Sequence, residues 1–227
     1  MNNRKLFKII IDILMAGVST ALMGRFILGD LFHEIFGISL FVLWTAHILL
    51  NRRWYGSLFK GTYNSVRVFI TAVNILLAAA AACLLLSSTA ISNYIFAFLP
   101  FGGAAAEGRV LHLFCSYWYF VLMSIHIGLH CGLHGGKNTA EKRPGIHALP
   151  AGIVLISVSA YGIYACMKEQ ILSYLFMRRQ FVFFDPSQNA FAFYAGYICI
   201  CAFFAEIGYI VLRFLQRRET VRRDKSV

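Results

Sequence analysis

The chain has 227 residues, of which 59% are apolar or aromatic and only 14% charged, with a formal net charge of +11. A soluble domain of this size carries about 25% charged residues and about 45–50% apolar ones, so the composition points to the membrane class. The basic residues fall in short blocks between apolar runs and not along one face of a soluble domain, which argues against a nucleic-acid binder and for a topology signal.

In chain order, six apolar spans are expected, at about 6–28, 31–50, 66–86, 109–133, 149–167 and 190–215. Each has about 20 residues, enough to cross a hydrocarbon core of about 30 Å as a helix. The runs lack period-2 alternation and are twice the length of a barrel strand, so strands are not expected. Asp12 interrupts the apolar part of the first span, so that span is expected to stay as a helix and not to be a cleaved leader. Between the third and fourth spans, 87–108 is apolar and aromatic and is expected to lie against the membrane surface. Between the fifth and sixth, the first half of 168–188 is expected to form an interfacial amphipathic helix.

The cations set the expected orientation. Arg4, Lys5 and Lys8 precede or open the first span, and Arg52, Arg53, Lys60 and Arg67 lie between the second and third. Lys137, Lys142 and Arg143 lie between the fourth and fifth, and Arg213, Arg217, Arg218, Arg222, Arg223 and Lys225 end the chain. These are 16 of the 21 Lys and Arg, and with an even number of spans they all fall on one side. The expected fold is therefore an all-α membrane protein, a six-transmembrane-helix bundle with both termini cytoplasmic, forming a single domain over residues 1–227.

Six cysteines are present, at 83, 115, 131, 166, 199 and 201, without a C-x-x-C or C-x-x-C-H pattern. Covalent c-type haem, zinc ribbons and thioredoxin-like chemistry thus have no support. The sequence also lacks a nicotinamide or flavin fingerprint, so such a cofactor would sit on a partner.

The histidines carry the chemistry. His33 and His47 lie on the second span; His112, His126, His130 and His134 lie on the fourth or at its end, and His147 in the following loop. His33 to His47 is fourteen residues, and so is His112 to His126. Fourteen steps return a helix to within about 40° of its starting azimuth and advance it ~21 Å. The two spans run in the same direction, so His33 should stand level with His112 and His47 with His126. Two imidazole pairs stacked through a bilayer are what two bis-histidine haems require. Intramembrane ionisable residues are costly and usually functional, which separates this pattern from ordinary interhelical hydrogen bonding. Pairs ~21 Å apart cannot converge on one zinc ion. His130, one turn beyond His126, is an alternative ligand at the second pair or a partner for a propionate or quinone.

Several stretches carry a resemblance: IDILM in the first span, HEIFG and HILLNRRWY in the second, and the loop KGTYNSVR. FLPFGG, LHLFCSYW and SIHIGLHCGLH continue it, with YGIYACMKEQ and FVFFD matching more loosely. In these the chain resembles the flavinylation-associated cytochromes, a bacterial membrane b-type cytochrome family. The resemblance implies a multi-pass protein of the bacterial inner membrane that passes electrons to an extracytosolic FMN-carrying flavoprotein. It would act as the electron-carrier subunit of an oxidoreductase system, not as a self-contained enzyme.

The combined expectation is two b-type haems, one held by His33 and His112 and one by His47 and His126, with a membrane quinol or cytoplasmic reductase as donor. The rivals are an outer-face haem reductase of ferric iron or another external acceptor, and a haem-free membrane anchor or transporter. Among lesser features, Asp12 reads either as a proton- or quinone-site acid or as an interfacial carboxylate paired with Lys8. Arg67 is a candidate for an inner propionate, and Gly37, one turn after His33, for leaving room beside a porphyrin face.

Overall fold

The structure is a computed structural model and describes residues 3–99, 105–135, 148–182, 185 and 187–224. Among these residues it is all-helical, without strands. The helices are α1 (Asn3–Leu22), α2 (Arg25–Leu28), α3 (Asp30–Leu50), α4 (Arg52–Tyr55) and α5 (Ser65–Ile91). They continue with α6 (Ala105–Gly135), α7 (Ala148–Lys168), α8 (Ile171–Leu175) and α9 (Ala190–Asp224).

Four segments are long and apolar enough to cross a membrane: Asp30–Leu50, Ser65–Ile91, Ala105–Leu133 and Ala190–Arg222. This is consistent with a multi-pass membrane protein. They coincide with the second, third, fourth and sixth expected spans. α1 differs because Lys5, Lys8 and Asp12 fall within any stretch of it long enough to span. In α7 the apolar segment with described side chains is Val154–Lys168.

The helix expected over 6–28 is broken. α1 ends at Leu22, and the chain turns at Met23 and Gly24 before α2. A residue far away in sequence packs on this break: the Tyr194 hydroxyl donates to the Ala21 carbonyl at 3.3 Å. A Cβ on Gly24 would stand 2.4 Å from that hydroxyl, so a larger residue there would displace the Tyr194 side chain.

α6 is the hub of the bundle. It packs on α5 along one side and on α9 along another, and α7 packs on the far side of α9. Glycines allow the close contacts: a Cβ on Gly128 would meet the Ala205 carbonyl oxygen at 1.9 Å, and one on Gly208 the Ile125 carbonyl oxygen at 2.6 Å. Likewise a Cβ on Gly162 would meet the Cys199 carbonyl oxygen at 2.5 Å. Small residues at such crossings are how apolar helices associate in lipid, where burial of hydrocarbon gives no drive. The core around α6 gathers Tyr117, Phe120, Met123, Tyr197 and Ile200.

α8 departs from the expected surface helix. Ile171, Tyr174 and Leu175 are buried, Tyr174 stacks on Tyr117 at 4.4 Å, and the Trp118 indole donates to the Leu175 carbonyl at 3.0 Å. Five residues give too little helix for an amphipathic face to float on a membrane, and the aromatic ring of Tyr174 finds a better surface on α6.

α3 behaves differently from the other long helices. It lies along α1, has no buried residue, and its backbone makes no extended close approach to α6. Beyond its start, the Glu34 carboxylate ties α3 to the segment after α5. It accepts from the Ser92 hydroxyl at 2.7 Å and from the backbone N–H groups of Asn93, Tyr94 and Ile95 at 2.7, 3.2 and 2.9 Å.

Candidate functional site

The gap between α3 and α6 is where the histidines meet. His33 on α3 faces His112 on α6 with ring centres 6.3 Å apart, and His47 faces His126 with ring centres also 6.3 Å apart. The ring planes cross at 65° and 72°. The two intervals of fourteen residues are thus brought into register by two helices that otherwise stand apart.

That separation has chemical meaning. An imidazole nitrogen lies about 1.1–1.2 Å from its own ring centre and binds a first-row metal at about 2.0–2.1 Å. Two imidazoles on opposite sides of one ion therefore stand about 6.3–6.5 Å apart, centre to centre. Where a macrocycle holds such an ion it supplies the remaining donors, and two imidazoles from the protein suffice. Among the described residues, no group of three or more His, Cys, Asp or Glu is gathered as an all-protein metal cage would need.

Three of the four rings are held by an acceptor on a neighbouring helix. The His47 Nδ1 donates to the Asp12 carboxylate on α1 at 2.8 Å. The His126 Nδ1 donates to the Asn74 side-chain carbonyl on α5 at 2.7 Å. At His112 the partner is the Ser87 hydroxyl, 3.2 Å from Nδ1; this hydroxyl donates to the Leu84 carbonyl, leaving its lone pairs for the ring N–H. Carboxylates and amide oxygens only accept, so the proton sits on Nδ1 and the lone pair on Nε2. A metal-binding histidine is commonly oriented in this way by an acceptor on its other nitrogen. At His47 the Asn51 amide nitrogen stands 3.4 Å from Nε2, a long contact beside its 3.0 Å bond to the His47 carbonyl.

His33 is the exception. Its Nδ1 is buried and has no hydrogen-bond partner. An unsatisfied buried polar atom costs about 1–3 kcal/mol, so natural structures seldom keep one without a reason. A Cβ built on Gly37, one turn further along α3, meets nothing within 4 Å, so the space beside His33 is open. The equal ring separations and the open flank fit a flat group held between the paired imidazoles.

Other expected positions are resolved less uniformly. The His130 ring lies 4.5 Å from that of His126, and the residue is exposed. The pair facing across the gap is therefore His47 with His126, and His130 stands beside it. His134 lies in the last turn of α6, but its side chain, like the whole of His147 and the cations at 137, 142 and 143, falls outside the described residues. Asp12 turns toward His47, while Lys8 donates to the Asn51 side-chain carbonyl at 2.8 Å, so the expected Lys8–Asp12 pairing gives way to two cross-helix contacts. Arg67 donates to the Ser57 and Thr62 carbonyls at 2.6 and 3.3 Å and lies over the Tyr63 ring at 4.2 Å. Its guanidinium thus orders the loop before α5.

Ser87 received no role from the sequence, and Asn74 none beyond its place on the third span. A signal existed: they lie thirteen residues apart on an apolar helix antiparallel to α6, close to the fourteen between His112 and His126.

The fold and this geometry define a class: an all-helical protein, among the described residues, with four helices long and apolar enough to cross a membrane and two facing imidazole pairs. A scan against protein-family models finds no match, and no curated protein or solved structure matches the chain.

Proposed function

We propose that this protein is a transmembrane electron carrier holding two b-type haems, one between His33 and His112 and one between His47 and His126. The observation that carries the reading is the pair of equal 6.3 Å ring separations, each matching two imidazoles bound to a single ion. The haems would supply one-electron iron chemistry. The chain's own residues would do the rest: the four imidazoles would hold the groups, and Asp12, Asn74 and Ser87 accept from the Nδ1 atoms of His47, His126 and His112, which leaves Nε2 of those three rings free to bind. The four long apolar helices, with α1 and α7 completing six spans, isolate the two sites from water.

The positive-inside bias puts both termini in the cytoplasm, with His47 and His126 near the inner face and His33 and His112 near the outer one. Sites stacked ~21 Å apart along the helices form a path through the bilayer. With the resemblance to flavinylation-associated cytochromes, this gives a protein of the bacterial inner membrane. It takes electrons from a membrane quinol or cytoplasmic reductase and passes them to an extracytosolic FMN-carrying flavoprotein.

The test is transfer across a sealed bilayer. Purified protein in liposomes with trapped reductant should deliver electrons to external ferricyanide, and His33→Ala or His126→Ala should stop it. Equal rates in protein-free liposomes and in those holding the wild type would refute the proposal. Reduction of an external ferric chelate as fast as reduction of an added FMN-carrying flavoprotein would favour the outer-face reductase instead.

A further inference from the structure

The two imidazole pairs do not have the same surroundings. At the first pair, His112 faces a neutral serine hydroxyl, and the His33 Nδ1 has no partner. At the second pair, His47 donates to a carboxylate and His126 to a neutral amide oxygen. A carboxylate on the far nitrogen of a ligating imidazole makes that ligand more basic and electron-rich. A more electron-rich ligand favours the ferric over the ferrous state, and so lowers the reduction potential of the ion it binds.

Other nearby charges work against this less directly. Lys8 approaches the second pair, but through the Asn51 amide and not at a ring nitrogen. Near the first pair, Glu34 follows His33 in sequence, but its charge is shared among three backbone N–H groups and the Ser92 hydroxyl. Arg25 and Asp30 there form a pair with each other at 2.8 Å. Asp12 is thus the one carboxylate among the described residues hydrogen-bonded to an imidazole of either pair.

Resting on the two-haem reading, we propose that Asp12 makes the His47–His126 site the lower-potential one, so electrons run downhill toward His33 and His112. One electron would leave the His47–His126 site, going from ferrous to ferric, and enter the His33–His112 site, going from ferric to ferrous, with no bond made or broken. Asp12 acts through His47 and is a positioning residue. It gives the chain a built-in direction, from the face bearing the cationic blocks toward the opposite face.

The experiment is an equilibrium redox titration of the full-length chain in lipid nanodiscs, followed by haem absorption. Wild type should give two one-electron waves, and the wave left in His33→Ala should be the lower. Asp12→Asn should raise that wave alone, changing the reduced-to-oxidised ratio at a fixed potential by about tenfold, which for one electron is about 59 mV. Asp12→Glu should keep it low. Should His33→Ala fail to fold, His112→Ala isolates the same site, and Asp12→Asn alone still shows which wave moves. Two haems with coincident waves, or an Asp12→Asn variant that shifts neither or both equally, would overturn the directional inference and leave the two-haem reading standing. A chain that binds no haem would overturn both.

Discussion

Replacing Asn74 with Leu isolates the part of the second site that depends on orientation and not on ligation. Leu has the same branched shape, though it is bulkier, and it removes the acceptor 2.7 Å from the His126 Nδ1. The ring N–H is left unsatisfied in an apolar gap, at a cost of about 1–3 kcal/mol. That cost falls on the apo and loaded forms alike, so the loss of affinity comes from the lost orientation and basicity of the ligand and should be about ten- to a hundredfold. The assay is haem titration of the apoprotein, with His33→Ala and Asn74→Leu combined so that only the second site reports. Asn74→Asp, which restores an acceptor, should recover most of the loss. Unchanged affinity in Asn74→Leu, or an equal loss at the His33–His112 site, would refute the reasoning.

Other substitutions separate ligands from neighbours. His130→Ala should keep two haems per chain while His126→Ala loses one, as read by pyridine haemochrome analysis. Gly37→Ala should leave apoprotein stability equal or higher by about 0.5–1 kcal/mol, since glycine weakens a helix. Gly37→Leu should retain the fold by circular dichroism yet reduce occupancy of the His33 site, because the side chain enters the open space there. Gly128→Val should lower thermal stability sharply, by about 1–3 kcal/mol or more, because its Cβ would run into the Ala205 carbonyl.

The long apolar helices and the facing imidazoles were both legible in the sequence, for one physical reason. Helical periodicity converts an interval of fourteen into a shared face, and hydrocarbon thickness converts a run of about 20 apolar residues into a span. The same logic fails where a feature depends on a distant partner. Tyr194 packs on the break after Leu22, and Tyr117 and Trp118 cover α8; no local pattern announces either contact. Asp12 invited a local reading because Lys8 lies one turn away. α1 instead packs against α3 and carries the carboxylate to His47, a contact spanning 35 residues. Ser87 and Asn74 were obscure for a related reason: a lone polar residue in an apolar helix has many possible partners, and only the antiparallel docking of α5 on α6 selects the imidazoles.

The most direct test of the central claim is the reduced-minus-oxidised absorption spectrum of the purified chain, with haem and protein measured on the same sample. The account predicts a b-type spectrum with two haems per chain, falling to one in His33→Ala and to one in His47→Ala. A purified, folded chain that shows no haem absorption after reconstitution with haem would contradict it.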